Sequence, residues 1–575
     1  MTKREALPRI QRNDSQLRFS RTILVERLLL RAHKGRMLQS KTSAPAADSA
    51  HWGADLLAGF LVFLIALPLC LGIAMASSFP PIAGIMTAIV GGVLTTFFGS
   101  ARLTIKGPAA GLIVIALGAV TELGQGDLHR GYRLALATIV AAAVLQIGLS
   151  LVRAGALGDT FPSSVVHGML AAIGVIICSK QLHTLVGVAP KSAGPLGLLS
   201  QVPHSFTVAN PEVAAIGIGS LVLLFAWPQL PFGALRKVPA QLVVVVLSVI
   251  AGDFFDLGHE HTYQFRGHDF SVGPKFLVEL PGQLMAALTL PDFSQLATGT
   301  SMKYVVMFAL VGSIESLLSA KAVDALDPLK RRSDLDKDLL AVGAGNLIAG
   351  LIGGLPMISE IVRSSANINS GARTKYANFF HGVFLVLFVA AVPWLLARIP
   401  LSALAAMLIY TGYRLASPAE FAKTWKIGRE QMMIFGTTMF VTVATDLLLG
   451  VAAGVVLKIV LHVLNGLPLR NMFKPRIDLE VDGSMATVRV GQAAVFSNYL
   501  SIVRVLGALP STVQQVRLDL SQTSLVDHTV MEKLHELEQA WQQRGLELSV
   551  HGLEAHAGLS EHPFAARRRR LSKAH

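Results

Sequence analysis

Cysteine is nearly absent: the 575 residues hold two, Cys70 and Cys178, both inside apolar runs. That leaves neither a disulfide framework nor a cysteine-based zinc site. Charge is scarce too, at 15% of residues against 52% hydrophobic. A very apolar soluble enzyme would need short apolar runs broken by polar helix faces, and the runs here are long. Acidic residues are the scarcer sign, 36 against 50 basic, for a net charge of +14. The excess is not spread as a nucleic-acid-binding surface. It gathers before the first apolar run, in short loops and in the terminal run Arg567-Arg568-Arg569-Arg570, so it reports membrane topology and gives no support to a nucleic-acid partner. No cleavable leader is expected, because the N-terminus stays basic and polar for about 50 residues. Gly-rich phosphate loops, catalytic Cys/His pairs and metal-ligand clusters are missing as well, and neither an enzymatic activity nor a cofactor is expected.

What the chain has is apolar length. Runs such as Ala54–Met75, Leu134–Val152, Val213–Trp227, Tyr304–Ala320, Phe379–Leu396 and Met432–Leu449 approach the roughly 20 residues that a helix needs to cross a bilayer. The pattern is that of an α-helical polytopic membrane protein with about fourteen spans. Arg102/Lys106, Arg236/Lys237, Lys330–Arg332, Arg373/Lys375 and Arg414–Arg429 fall on the N-terminal side of the alternation. The acidic connection Gly252–Thr300 falls on the other. Both termini are therefore expected in the cytoplasm, with the protein in the cell (inner) membrane.

Residues 1–52 read as a basic cytoplasmic arm, in which Leu17, Phe19, Ile23, Leu24, Leu28 and Leu29 recur at near-helical spacing among arginines. Residues 53–467 form the membrane domain. Residues 475–560 change character: alternation in Ala486–Val490 and Val516–Leu520, a helical stretch Val530–Arg544 and a further strand Leu546–Val550 predict a small α/β domain. Residues 561–575 are a basic tail.

Two segments break the pattern. Gly107-Pro108-Ala109-Ala110-Gly111 follows Lys106 at the start of the third apolar segment, and Gly353–Pro356 opens the tenth. They are third members of two sets of seven, and paired interrupted segments in matching halves point to an inverted-repeat transporter and its binding site. The second continues as Met357-Ile358-Ser359-Glu360-Ile361-Val362-Arg363-Ser364-Ser365, with two ionisable side chains and several hydroxyls. Lipid accepts such a stretch only where protein or a water-filled cavity surrounds it. A helix that starts there aims bare N–H groups and a positive dipole end at the cavity, which suits an anion.

Several segments, in order, resemble the sulfate permease (SulP) family of anion transporters: Ile65–Pro68, Lys106–Gly111, Gly312–Ala320, Gly353–Asn367, Asn369–Arg373 and Ile399–Leu404. Asp519-Leu520-Ser521 and Val526-Asp527 resemble a STAS domain. The resemblance implies a seven-plus-seven inverted repeat like that of the uracil permeases, with core and gate domains and a homodimer. It places substrate between the N-termini of the third and tenth helices, facing Ala109, Ala110, Gly111, Ile358, Ser359 and Glu360. It also matches Arg363 to an arginine beside the anion, and Glu315 to a carboxylate linked to H+ or Na+ coupling. Glu360 departs from the small residue common in the family; it opposes an anion unless protonated or paired, and so is expected to face Arg363, another helix or solvent. His528 follows Asp527 where related signalling domains carry a phosphorylated serine.

Two helix N-termini of about half a charge each, plus Arg363, give a site near roughly +2, suited to a small oxyanion such as bicarbonate or sulfate. The expected function is secondary active transport of such an anion by alternating access, as a symport. A dicarboxylate transporter, an uncoupled anion channel and a membrane-tethered STAS signalling module are the alternatives. In the expected mechanism Glu315 and Arg363 pair, and an arriving anion takes Arg363 and releases Glu315 to accept a proton, so that anion and proton bind cooperatively. Lys106 is placed at the cytoplasmic rim, and Ser364 and Ser365 are read as bonding back to their own helix.

Overall fold

A computed structural model describes residues 51–155, 161–189, 194–229, 238–279, 288–329, 331–542 and 545–569. The helix expected around Leu17–Leu29 lies outside them. The chain divides into two compact units, a helical one and a C-terminal sheet.

The helical unit opens with α1 (Trp52–Ala76) and α2 (Pro81–Val93), followed by strand β1 (Ile105–Pro108). A single 3-10 turn, Ala110–Leu112, then leads into α3 (Ile113–Gly124). After α4 (Leu128–Leu151) and α5 (Ser163–Leu185) come α6 (Pro195–Thr207), α7 (Pro211–Ala226) and α8 (Ala240–Phe254). The hairpin β2 (His261–Phe265) and β3 (His268–Val272) occupies the acidic connection. Then follow α9 (Gly299–Leu326), α10 (Leu335–Ile352), strand β4 (Met357–Glu360), α11 (Ile361–Asn369) and α12 (Tyr376–Ala391). The unit ends with α13 (Leu401–Leu415), α14 (Pro418–Ile427), α15 (Arg429–Ala444) and α16 (Leu447–Leu464).

Among the described residues, seven helices are long and apolar enough to cross a membrane, and three shorter apolar ones accompany them. Polar caps set several boundaries: Asp127, Asn210, Thr298, Asp334 and Asp446 each accept a backbone N–H from the first turn of α4, α7, α9, α10 and α16. Two of the runs that read as single spans are broken. Phe379–Leu396 ends as a helix at Ala391, before Pro393, which has no N–H to continue it. Met432–Leu449 breaks between Ala444 and Leu447, where the Asp446 carboxylate caps a new helix.

Helices α10 on α4, α13 on α5 and α12 on α1 are the broadest packed pairs. The apolar side chains of Ala109, Leu112, Ile113, Leu355 and Ile358 belong to one buried cluster with Tyr304, Val305, Met307 and Phe308 of α9. Both interrupted segments are thus embedded in protein, the condition that apolar surroundings impose on irregular backbone.

The C-terminal unit is a mixed sheet. Its strands are β5 (Arg476–Asp482), β6 (Met485–Ala494), β7 (Gln515–Asp519), β8 (Thr523–Val526), β9 (Glu547–His551), β10 (His556–Gly558) and β11 (Arg567–Arg569). β7 and β8 pair in parallel with β6, and β9 in parallel with β7, while β5 and β11 run antiparallel to their partners. Helices α17 (Tyr499–Gly507) and α18 (His528–Gln542) complete it. Arg567–Arg569, from the run read as tail, extends the sheet beside β8. Asp527 fastens the start of α18: its carboxylate accepts N–H groups from Val530 (2.8 Å) and Phe496 (3.0 Å).

Candidate functional site

The two interrupted segments meet strand to strand. β1 and β4 pair antiparallel, with Ile105 opposite Glu360, Lys106 opposite Ser359, Gly107 opposite Ile358 and Pro108 opposite Met357. Just beyond the ladder, the Ala109 N–H donates to the Pro356 carbonyl (3.4 Å). Each strand runs into a short helix. At 1.5 Å per residue, α3 and α11 are about 18 and 14 Å long, well short of a bilayer core of about 30 Å. Strands of four residues are too short to leave a periodicity in the sequence, and the Gly/Pro breaks are the ladder's only trace there.

Polar side chains hold the ladder. Asn346 of α10 clasps Met357 at both ends, accepting its N–H (2.6 Å) and donating to its carbonyl (3.1 Å), and is itself fixed by Gln146 (2.8 Å). Ser364 Oγ accepts the Ile105 N–H (2.8 Å) and bonds back to the Glu360 carbonyl; Ser365 bonds back to Ile361 (2.8 Å). Ser359 is fully buried: its N–H donates to Ser316 Oγ (3.2 Å) and its hydroxyl to Asp338 Oδ2 (3.0 Å).

Lys106 has a partner that the sequence reading did not find. It is 2% exposed, and its ammonium bonds Asp338 Oδ1 at 2.7 Å and Thr104 Oγ1 at 3.0 Å, so it is half of a buried ion pair. Its strand carries it under the ladder, and Asp338, in the first turn of α10, is 232 residues away in sequence. The signal that could have found the pair is a charge on each side of an apolar segment; at membrane depth each requires a partner.

Arg363 lies in the first turn of α11, 1% exposed. Nη2 donates to the Pro108 carbonyl (3.4 Å), while Nε and Nη1 have no hydrogen-bond partner. The guanidinium fits because Gly107 has no side chain: a Cβ there would stand 2.5 Å from Nη1. Cys70 of α1 and the fully buried His381 of α12 are its further neighbours, and neither was singled out by sequence.

Glu315, in the middle of α9, is 6% exposed, with both carboxylate oxygens unpartnered. It presses on Gly111, where an added Cβ would meet Oε1 at 1.9 Å. The expected Glu315–Arg363 pair is therefore not formed: the carboxylate is turned to the start of the third segment. Glu360 is the acid nearer to Arg363 along the chain, three residues before it. It holds the N-cap position of α11 without a side-chain cap bond, and its Oε1 is buried and unpartnered. Ala109 and Ile358 are buried, with Ala110 half-buried at the turn. The predicted residues thus converge on one locus, and carboxylates of the chain itself approach both helix starts.

A sulfate permease family model matches residues 53–438. The putative sulfate transporter YvdB of Bacillus subtilis is 27% identical over 418 residues, 71% of this chain and 73% of its own length. The bicarbonate transporter BicA of Picosynechococcus is 25% identical over 404 residues, 70% of this chain and 68% of its own. Among solved structures, the transmembrane domain of a cyanobacterial BicA superposes with a TM-score of 0.58 at 24% identity, covering 70% of this chain and 97% of that one. Murine Slc26a9, an anion transporter solved in an inward-facing state, gives 0.62 at 15% identity, covering 96% and 93%. The fold is that of these helical membrane transporters, and the C-terminal mixed sheet is consistent with a STAS domain. With two thirds of its length matched by one family model, the chain belongs to the sulfate permease family of anion transporters, and it is a transporter rather than an enzyme.

Proposed function

We propose that the protein is a secondary active transporter of a small inorganic oxyanion, sulfate or bicarbonate, which it binds at Arg363 between the starts of α3 and α11. The observation that carries this reading is a guanidinium 1% exposed, with two of its three nitrogens unpartnered, held where two short helices begin. A buried cation in that state is costly, and an anion is the ligand that offsets the cost. Relatives named for sulfate and for bicarbonate support the substrate class.

Glu315 is the coupling group in this reading, by H+ or Na+. Carrying a cation with the anion reduces the charge moved across the membrane, and with it the work against an inside-negative potential. Since Glu315 and Arg363 do not pair, the coupling runs through the shared field of the locus and not through exchange of one partner. Cytoplasmic termini, residence in the inner membrane and a homodimer complete the reading.

Purified protein in liposomes, given labelled sulfate or bicarbonate under imposed proton or sodium gradients, tests it. Uphill uptake should follow one gradient, disappear in Arg363→Ala, and lose its gradient dependence in Glu315→Gln. Unchanged uptake by Arg363→Ala would sink the proposal.

A further inference from the structure

With Arg363 assigned to the anion and Glu315 to coupling, Glu360 is left without a task. Its position is informative. It holds the N-cap position of α11 without a side-chain cap bond, at the end where bare N–H groups collect and three residues before Arg363, and one of its oxygens is buried with no partner. A carboxylate in that place offers Arg363 the same chemistry that an oxyanion would.

With both carboxylates ionised, the charges at this locus would nearly cancel. Arg363 contributes +1, the two helix starts about half a charge each, and Glu315 and Glu360 −1 each, for a total near zero. In that state the locus has no net attraction for an anion. One neutralised carboxylate leaves about +1, matched to a monovalent anion; two leave about +2, matched to a divalent one.

We propose that Glu360 is a specificity-determining residue: its carboxylate competes with the transported anion at Arg363 and must take up a proton before the anion settles there. This deepens the transporter reading and rests on it. The proton comes from the solution that delivers the anion, and it is additional to whatever cation Glu315 carries. By linkage, anion affinity rises as pH falls, and Glu360 steepens that dependence.

Other charged and titratable groups face the same place. They are Arg363 on the same helix, Glu315 from α9, Cys70 from α1 and His381 from α12; Lys106 of β1 and Asp338 of α10 are paired with each other. The test must therefore isolate Glu360 by substitution and not by pH alone.

Equilibrium binding of radiolabelled sulfate to the purified full-length protein, across about pH 6 to 8.5, is the experiment. Wild type should weaken as pH rises. Glu360→Gln should bind about tenfold tighter or more at the alkaline end, with a dependence shallower by about one proton, whereas Glu360→Asp keeps the wild-type dependence. Should Glu360→Gln misfold, proton uptake on adding sulfate to weakly buffered Glu315→Gln decides: about one proton per sulfate, taken by Glu360, is expected, and none overturns the proposal. If Glu360→Gln matches wild type while Arg363→Ala has lost binding, the role of Glu360 falls and the anion site stands. If Arg363→Ala binds as wild type does, both fall, and absence of sulfate binding by wild type also overturns the proposal.

Discussion

The two strand-and-helix crossovers share a backbone plan and divide the chemistry unequally. β1 and its turn bring main-chain N–H groups and two glycines, Gly107 and Gly111; their one ionised side chain, Lys106, is already paired with Asp338. β4 and α11 bring Glu360 and Arg363, both with unpartnered polar atoms. These two glycines make room for charges from elsewhere, Gly107 for Arg363 and Gly111 for Glu315. One half supplies space and dipole, the other the charged groups. Two crossovers can therefore share a geometry while only one of them holds the buried, unpartnered side chains.

That division is open to test. Arg363→Ala should give the largest effect, a loss of anion uptake of about a hundredfold or more, since a removed charge at a desolvated locus costs several kcal/mol, roughly. Arg363→Lys should recover only part, because a single ammonium does not reproduce the planar fork. Next, Asp338→Asn strands a buried ammonium beneath the ladder and should destabilise the protein by about 3–5 kcal/mol, read as a lower midpoint of thermal unfolding in detergent. Replacing Lys106 and Asp338 together with apolar residues should cost much less.

Gly111→Ala comes third: pushing a methyl into the Glu315 carboxylate should cost about 1–3 kcal/mol and depress transport. Adding Glu315→Ala should restore much of the stability but not the coupled uptake, because the clash and the proposed coupling group are one side chain. The smallest effect belongs to the other unit. Asp527→Ala removes the cap of α18 and the Phe496 bond, at a cost of about 1–2 kcal/mol. Faster hydrogen exchange in the first turn of α18 would report it, with the ladder amides unmoved.

Much of this is legible in the chain itself. Apolar length points to a helical membrane protein, since the bilayer fixes how long a span must be. The Gly/Pro interruptions mark the place of the site, because glycine and proline are where helical hydrogen bonding stops. What stays hidden is long-range. Lys106 beside an apolar segment looks interfacial until Asp338 is brought to it by the packing of α10. Glu315 and Arg363 look like natural partners by charge, but Glu360 is the acid beside Arg363, one turn away on its own chain. Pro393 and Asp446 break two apolar runs that hydropathy alone joins. Arg567–Arg569 has little intrinsic strand preference, and a place at β8 overrides it.

The ladder between β1 and β4 sets a mechanical condition on any motion. Four residues from each crossover are laced together by main-chain bonds, with Ser364 bonded across to Ile105 and Asp338 joining Ser359 to Lys106. Parting the strands would leave several buried amide groups unpaired at once, so the ladder is expected to stay closed through a cycle. A solute gripped there rides with both crossovers as cargo on one stiff carriage, and the hinges and sliding faces must be sought elsewhere in the fold.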